Sequence, residues 1–469
     1  MSTCLTKEDI RPKSTTSVLD MIGNTPMLKA RHLDTGPCEL FLKLENQNPG
    51  GSIKDRVALA MIEAAERDGR LEPGATLVEA TAGNTGLGLA LVAAQKGYRL
   101  LLVVPDKMSK EKILHLRALG AEVRLTRSDV GKGHPEYYQD LAASIAARTP
   151  GALFIDQFNN PANPYAHETG TGPEIWAQLE QRVDAVVVGV GSSGTLTGLG
   201  NFFARVSPHT ELILADPIGS VLADQVEFGH YGEAGSWLVE GIGEDFIPPL
   251  ARLDLVGHAY RISDTQSFDA ARSLLNQEGV LGGSSTGTLL AAALQYCRAQ
   301  TEPKRVVTLV CDSGNKYLSK MYDDYWLFDQ GIHRPQPSGH ITDLIARRHD
   351  RGQSVTCTQQ EPLSAVYQRM RLHDMSQLPV FDQDRIIGII DEWDILMSVH
   401  GEPDNFHLPV SSAMSSKIES ITPDASFERL LHIFNEGYIA LVMDGPRYLG
   451  LITQNDLLIH WQQIARRTH

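Results

Sequence analysis

Basic residues are in short supply. Lys and Arg number 42 against 57 Asp and Glu, giving a net charge of −15 over 469 residues. That balance argues against a nucleic acid or an anionic membrane as partner, since both are met by positive surfaces. Cysteines are few as well. Cys4, Cys38, Cys297, Cys311 and Cys357 are scattered, odd in number and form no C-x-x-C, so neither a disulfide framework nor a zinc site is expected. No apolar run approaches the length of a membrane span. The opening MSTCLTKEDIRPKSTTS has no apolar signal core, which makes the cytoplasm the expected compartment. Against these absences, apolar residues at 42% and charged residues at 21% are ordinary for a globular chain, and the length suggests two to four domains.

Past a polar arm at 1–16, strand and helix patterns alternate. Glu39–Glu45, Thr76–Glu79, Leu100–Pro105, Ala185–Val190, Leu212–Ala215 and Val306–Val310 read as strands. Leu87–Lys96 and Glu111–Leu119 read as helices stopped by Gly97 and Gly120. Continuous apolar strands between helices imply a mostly parallel sheet covered on both faces. In that architecture ligands bind at the carboxyl ends of the strands.

Several loops at such positions carry chemistry. In Asn48-Pro49-Gly50-Gly51-Ser52-Ile53-Lys54 the turn residues lead into a helix, and the Ser52 hydroxyl can accept from a first-turn amide. A lysine at a helix N-terminus has its charge disfavoured, as a nucleophilic amine requires; alone, the stretch fits a solvated lysine better, and only the rest of the chain reverses that. Gly189-Val190-Gly191-Ser192-Ser193-Gly194-Thr195 follows a buried strand and opens a helix. It suits a phosphate or a tight turn, and is neither a dinucleotide fingerprint nor a P-loop. Thr81–Thr85 could hold a carboxylate, with Asn84 donating to a phenolic oxygen. Gly282–Gly287 places a serine to face a ring nitrogen or to cap a helix, and Glu240–Gly243 is a fourth loop. Together they suit a phosphate, an aromatic ring and an aldehyde held by a lysine, which describes pyridoxal phosphate. His115, His134 and His167 have no ligand spacing and read as structural or surface residues.

Beyond a linker at 331–340 the chain repeats itself. Val380, Gly388 and Asp394 match Val442, Gly450 and Asp456 at identical spacing, and Leu363, Val366 and Met370 match Phe427, Leu430 and Phe434. Two such units in tandem suggest a pseudo-symmetric pair whose shared faces bury each other.

The motifs IGNTP, NPGGSIKDR, EATAGNTGLGLA, DQFNNPANPYAH, GVGSSGTLTG, VEGIGEDFIP, EGVLGGSSTG and CDSGNKYLSK, in this order, resemble the pyridoxal-phosphate β-synthase family, which contains cysteine synthases and cystathionine β-synthases. The tandem repeat resembles a pair of CBS domains. The resemblance implies an α/β, tryptophan-synthase-β-like catalytic domain of two open parallel-sheet subdomains at 17–330. It implies α+β CBS domains at 341–400 and 401–469. By the same resemblance Lys54 is the Schiff-base lysine, Gly191, Ser192, Ser193, Gly194 and Thr195 form the phosphate loop, Asn84 bonds the ring hydroxyl and Ser285 meets the ring nitrogen. Thr81, Ala82, Gly83, Thr85 and Gln157 clamp the substrate carboxylate, and Gly241 and Ile242 form the lip of the second-substrate entrance. Serine as nitrogen partner favours loss of a β-substituent and attack by a thiol over transamination.

The departures are Ala82 for a common serine, Ser192-Ser193 for Thr-Gly, and Glu244 where some relatives carry tyrosine; Glu244 either meets the amine of an acceptor thiol, the preferred reading, or faces solvent. Only Cys4 precedes the fold and no histidine precedes His32, so no haem is expected. The implied reaction joins serine, or O-acetylserine, to homocysteine; the alternatives are a cysteine synthase using sulfide and an adenosyl-ligand sensor on a non-catalytic fold. In the repeat pair Thr453, Asp456 and Asp394 are the expected contacts of an adenosyl ligand such as S-adenosylmethionine, the alternative being a purely structural role in dimerisation. A homodimer or higher homo-oligomer is the expected assembly.

Overall fold

The computed structural model describes residues 15–467 apart from Ala82, Lys107, Ser109, Lys132, 333–338 and Lys417. Nearly all of the expected N-terminal arm with Cys4, the carboxylate-loop residue Ala82 and most of the expected linker lie outside the described residues. The chain forms two compact units, 1–321 and 322–469. The division falls ahead of the expected boundary at 330, because the helix Asp324–Asp329 packs with the second unit. There the guanidinium of Arg347 lies 4.3 Å from the Tyr325 ring centroid, a cation–π contact.

The first unit contains two sheets. The larger is built from β1 (Met27–Lys29), β2 (Glu39–Lys43), β7 (Ala185–Val188), β8 (Glu211–Pro217), β9 (His258–Ile262) and β10 (Arg305–Leu309), in the order β1-β2-β10-β7-β8-β9. Every pairing in it is parallel except β1 with β2. The smaller sheet is wholly parallel. It orders β3 (Thr76–Ala80), β4 (Arg99–Pro105), β5 (Glu122–Thr126) and β6 (Ala152–Phe154) as β5-β4-β3-β6. All four residues of β7 are buried, as expected of a parallel strand covered on both faces. The helices Lys54–Arg67 and Asn84–Lys96 pack closely because Gly88 has no side chain: a β-carbon there would lie 2.8 Å from the carbonyl oxygen of Lys54. Val57, Met61, Ile62, Leu89, Val92 and Leu102 form part of the resulting core.

The second unit shows the repeat in three dimensions. Each copy is a three-stranded sheet with one parallel and one antiparallel pairing. The first joins β11 (Cys357–Thr358), β12 (Gln377–Asp382) and β13 (Arg385–Asp391). The second joins β14 (Glu419–Ile421), β15 (Ala440–Asp444) and β16 (Arg447–Ile452). Val380 pairs with Gly388 and Val442 with Gly450, and each pair is followed by the same register shift. Both glycines admit a crossing segment. A β-carbon on Gly388 would meet the Ser415 carbonyl, and one on Gly450 the Ile345 side chain. Phe381 and Ile386 of one copy cluster with Leu441 and Tyr448 of the other. One expectation is corrected. Ile341, Leu344 and Ile345, assigned by chain order to the first repeat, are buried in the core of the second, with Leu430, Ile433 and Val442.

Candidate active site

A cleft of about 1160 Å³ opens in the first unit. It is lined by Lys54, Thr81, Gly83, Asn84, Thr85, Gln157, Gly191, Ser192, Ser193, Gly194, Thr195, Gly241, Ile242, Glu244 and Ser285. Thus every expected catalytic-unit residue within the described part of the chain borders one space. The elements deliver them as strand-end loops: Thr81–Thr85 follows β3, Gly189–Thr195 follows β7, and Cys311 follows β10.

Lys54 opens the helix Lys54–Arg67, and its backbone amide donates to the Ser52 hydroxyl at 3.2 Å. Its Nζ has no hydrogen-bond or ion-pair partner among the described residues. Such exposure as the side chain keeps is to the cleft. Burial lowers its pKa, opposed in part by Cys311 and Glu244 nearby. Desolvation disfavours the charged amine, and the helix N-terminus acts in the same direction.

The phosphate loop precedes the helix Gly194–Val206. Gly191 leaves room where a β-carbon would lie 2.6 Å from the Gly241 carbonyl, and one on Gly194 would run into Asn163 Oδ1. Asn163 Nδ2 donates to Ser192 Oγ and to the Gln157 carbonyl, both at 2.9 Å, while its Oδ1 is buried without a partner. Thr85 Oγ1 donates to Gln157 Oε1 at 2.7 Å. That bond fixes the Gln157 carboxamide so that its amide nitrogen remains for a ligand. Asn84 is held from both sides, by Asp312 and Lys316. Ser284 Oγ accepts from the Glu240 amide at 2.9 Å, tying the lip loop to the loop that carries Ser285.

Of the three histidines expected to be structural or surface residues, His167 is structural and backs the phosphate loop. His115 and His134 are exposed, but His167 is fully buried. Its ring nitrogens lie 3.0 Å from Thr171 Oγ1 and 3.3 Å from Thr195 Oγ1 of the phosphate loop. Burial, with Lys54 and Arg56 nearby, holds the imidazole well below its ordinary pKa, hence neutral. Residues 167–171 form a π-helical turn, a local widening that is frequent at functional sites.

The sequence reading also missed Cys311, Tyr137 and Tyr138, which line the same cleft. Cys311 stands two residues beyond β10 and was open to the strand-end argument; burial pushes its thiol up to about 12. The tyrosines carry no local motif. Their rings make an edge contact at 4.8 Å between centroids.

In the second unit a pocket of about 450 Å³ is lined by Tyr325, Arg347, Asp391, Thr453 and Asp456, among others. Asp394 is not part of its wall. Its carboxylate instead accepts from the Asp391 amide in a capping box at the start of the helix Glu392–Val399. Asp391, which stands in the first repeat where the second has Thr453, lines the pocket instead.

The residues present fit pyridoxal phosphate. An unpartnered buried amine meets the aldehyde requirement, and small residues at a helix N-terminus, two of them with no space for a β-carbon, meet the phosphate requirement. Residues 18–312 match the family model described as pyridoxal-phosphate dependent enzyme, and 346–401 and 410–461 each match the CBS domain. Cystathionine beta-synthase of Dictyostelium discoideum is 32% identical over 95% of this chain and 92% of its own. The Apis mellifera and Saccharomyces cerevisiae proteins of that name are 40% and 41% identical over 71% and 69% of this chain. The chain spans 66% of the length of each of those two. Among solved structures, an O-ureido-L-serine synthase superposes with TM-score 0.62 at 32% identity, covering 66% of this chain and 96% of that one. A hydrogen sulfide-producing enzyme of Fusobacterium nucleatum superposes with TM-score 0.60 at 35% identity, covering 65% and 100%. The chain belongs to the pyridoxal-phosphate dependent enzyme family, in the form that carries a tandem pair of CBS domains.

Proposed function

We propose that the protein is a cystathionine β-synthase, replacing the β-substituent of L-serine, or of O-acetylserine, with the sulfur of L-homocysteine. The observation that carries this reading is the partnerless Lys54 amine in a cleft bordered by the phosphate loop, the carboxylate loop and Glu244. Pyridoxal phosphate held by Lys54, Asn84, Ser285 and the loop Gly191–Thr195 would supply the electron sink for loss of the α-proton and the β-substituent.

The chain's own residues do the rest. Gln157 and the Thr81–Thr85 loop would hold the amino-acid carboxylate and so fix which bond faces Lys54. Lys54 Nζ, its charge disfavoured by desolvation, would accept the α-proton once the substrate amine has displaced it and return that proton at the end. The Gly241–Glu244 loop, as the lip of the acceptor entrance, would set a carboxyl group in the path of an amino-acid acceptor. Burial, with Asp245 and Asp216 close by, pushes Glu244 up to about 8, and its backbone is pinned by Ser220 and Val221. Sulfide has no amine for Glu244 to meet, which favours homocysteine over the cysteine-synthase reading. In the second unit Thr453, Asp456 and Asp391 are the proposed contacts of an adenosyl ligand. The sites are proposed to work in a cytoplasmic homodimer.

Crossing serine and O-acetylserine with homocysteine and sulfide in one assay tests the reading. Cystathionine is the expected product. Its absence with both donors overturns the assignment.

A further inference from the structure

We propose that Lys316 and Asp312 are positioning residues that lock the Asn84 carboxamide in one orientation and so set how it addresses the ring oxygen of bound pyridoxal phosphate. The inference rests on the reading above that Asn84 faces that ring. Lys316 Nζ lies 2.6 Å from Asn84 Oδ1, and Asn84 Nδ2 lies 2.8 Å from Asp312 Oδ2. An ammonium group only donates and a carboxylate only accepts. A flipped carboxamide would set N–H against N–H and oxygen against oxygen, so the two charged neighbours leave Asn84 one orientation. One Nδ2 hydrogen is used by Asp312, and the other is uncommitted on a residue that lines the cleft.

Asp312 is itself held in place through Oδ2 and its backbone, while its Oδ1 is buried without a partner. It is fully buried, and Tyr317 Oη donates to its Oδ2 at 2.8 Å. Its backbone bridges Ser52, next to the Lys54 turn, and its carbonyl accepts from the Gly283 amide, next to Ser285. The three segments that would touch the cofactor ring therefore meet at one residue, Asn84 at its carboxylate and the other two at its backbone. Gly283 has no side chain where a β-carbon would strike Asp312 Oδ1. The Lys316 charge, transmitted through one carboxamide, stabilises negative charge on whatever oxygen Asn84 donates to.

The test is the visible spectrum of the holoenzyme and its pH dependence in Lys316→Met, Lys316→Arg and Asn84→Ala. Lys316→Met is expected to move the pH midpoint of the cofactor band by about one unit. It should lower kcat about tenfold, as for one lost charge-assisted hydrogen bond, with the KM for serine changed less than about threefold. Lys316→Arg, also an obligate donor, restores both. In an Asn84→Ala background Lys316→Met should add nothing, because the mediating carboxamide is gone. A Lys316→Met holoenzyme with the wild-type band and pH midpoint overturns the inference, as does an undiminished effect without Asn84. If Lys316→Met does not accumulate folded, Asp312→Asn must move the same band, and an unmoved band is equally fatal. A colourless wild-type protein would instead sink the cofactor reading itself, so the two failures are distinct.

Discussion

Ser193 has φ +69 at the start of the phosphate-loop helix, a backbone region in which a β-carbon is resisted. Its hydroxyl lies 3.2 Å from Thr197 Oγ1, a local compensation. Ser193→Gly removes the strain and is expected to stabilise the cofactor-free protein by about 1 kcal/mol, read as a higher urea midpoint. Glu244 makes a second prediction at this scale. Lys54 is the amine facing it, Asp245 and Asp216 are the acids, and Tyr137 and Tyr138 lie across the cleft. With its pKa raised to about 8, the group is mostly neutral at pH 7 and becomes charged as the pH rises through 8. The attraction for an acceptor ammonium is thus weak below that point and gained above it. The homocysteine KM should fall across pH 7–9 in the wild type, less so in Glu244→Gln, while the serine KM is indifferent to the substitution. Equal profiles would remove Glu244 from acceptor binding.

The helix that begins at Lys54 is held by a buried charge network rather than by its apolar face alone. Arg56 donates through Nε to Glu45 at 2.7 Å and through Nη1 to Glu174 at 2.6 Å, and Lys43 meets Glu174 at 2.7 Å. Removing one member leaves buried charge unpaired. Arg56→Met should destabilise the unit by about 3–5 kcal/mol, seen as a lower denaturation midpoint. A change below 1 kcal/mol would show the network to be ornamental. How far such elements were legible depends on range. The turn at Gly50–Gly51, the helix stop at Gly97 and the small-residue loops after β3 and β7 are local chemistry, and sequence alone placed them. The clamp of Asn84 by Asp312 and Lys316, the wall of Tyr137 and Tyr138, and the seating of Ile341, Leu344 and Ile345 in the second repeat join residues far apart in the chain. No periodicity encodes such contacts. Asp394 shows the converse: a correct motif position satisfied by capping its own helix.

As a whole the molecule joins a cleft suited to amino-acid chemistry to a repeat pair with a pocket of its own. No helix among the described residues is long and apolar enough to cross a membrane, and no described cluster of His, Cys, Asp or Glu could hold a metal ion. In the second unit, Asp456 Oδ2 accepts from both the amide and the hydroxyl of Thr453, which presents the pair as a preformed rim. Titration calorimetry with S-adenosylmethionine should show one binding event per described pocket, abolished by Asp456→Asn. Heat unchanged by that substitution would exclude the pocket.

The central claim is that one amine, Lys54 Nζ, carries the cofactor. Borohydride treatment of the purified holoenzyme followed by peptide mapping tests it most directly. The account predicts a pyridoxyl label on the peptide containing Lys54 and on no other; a label elsewhere, or none, contradicts it.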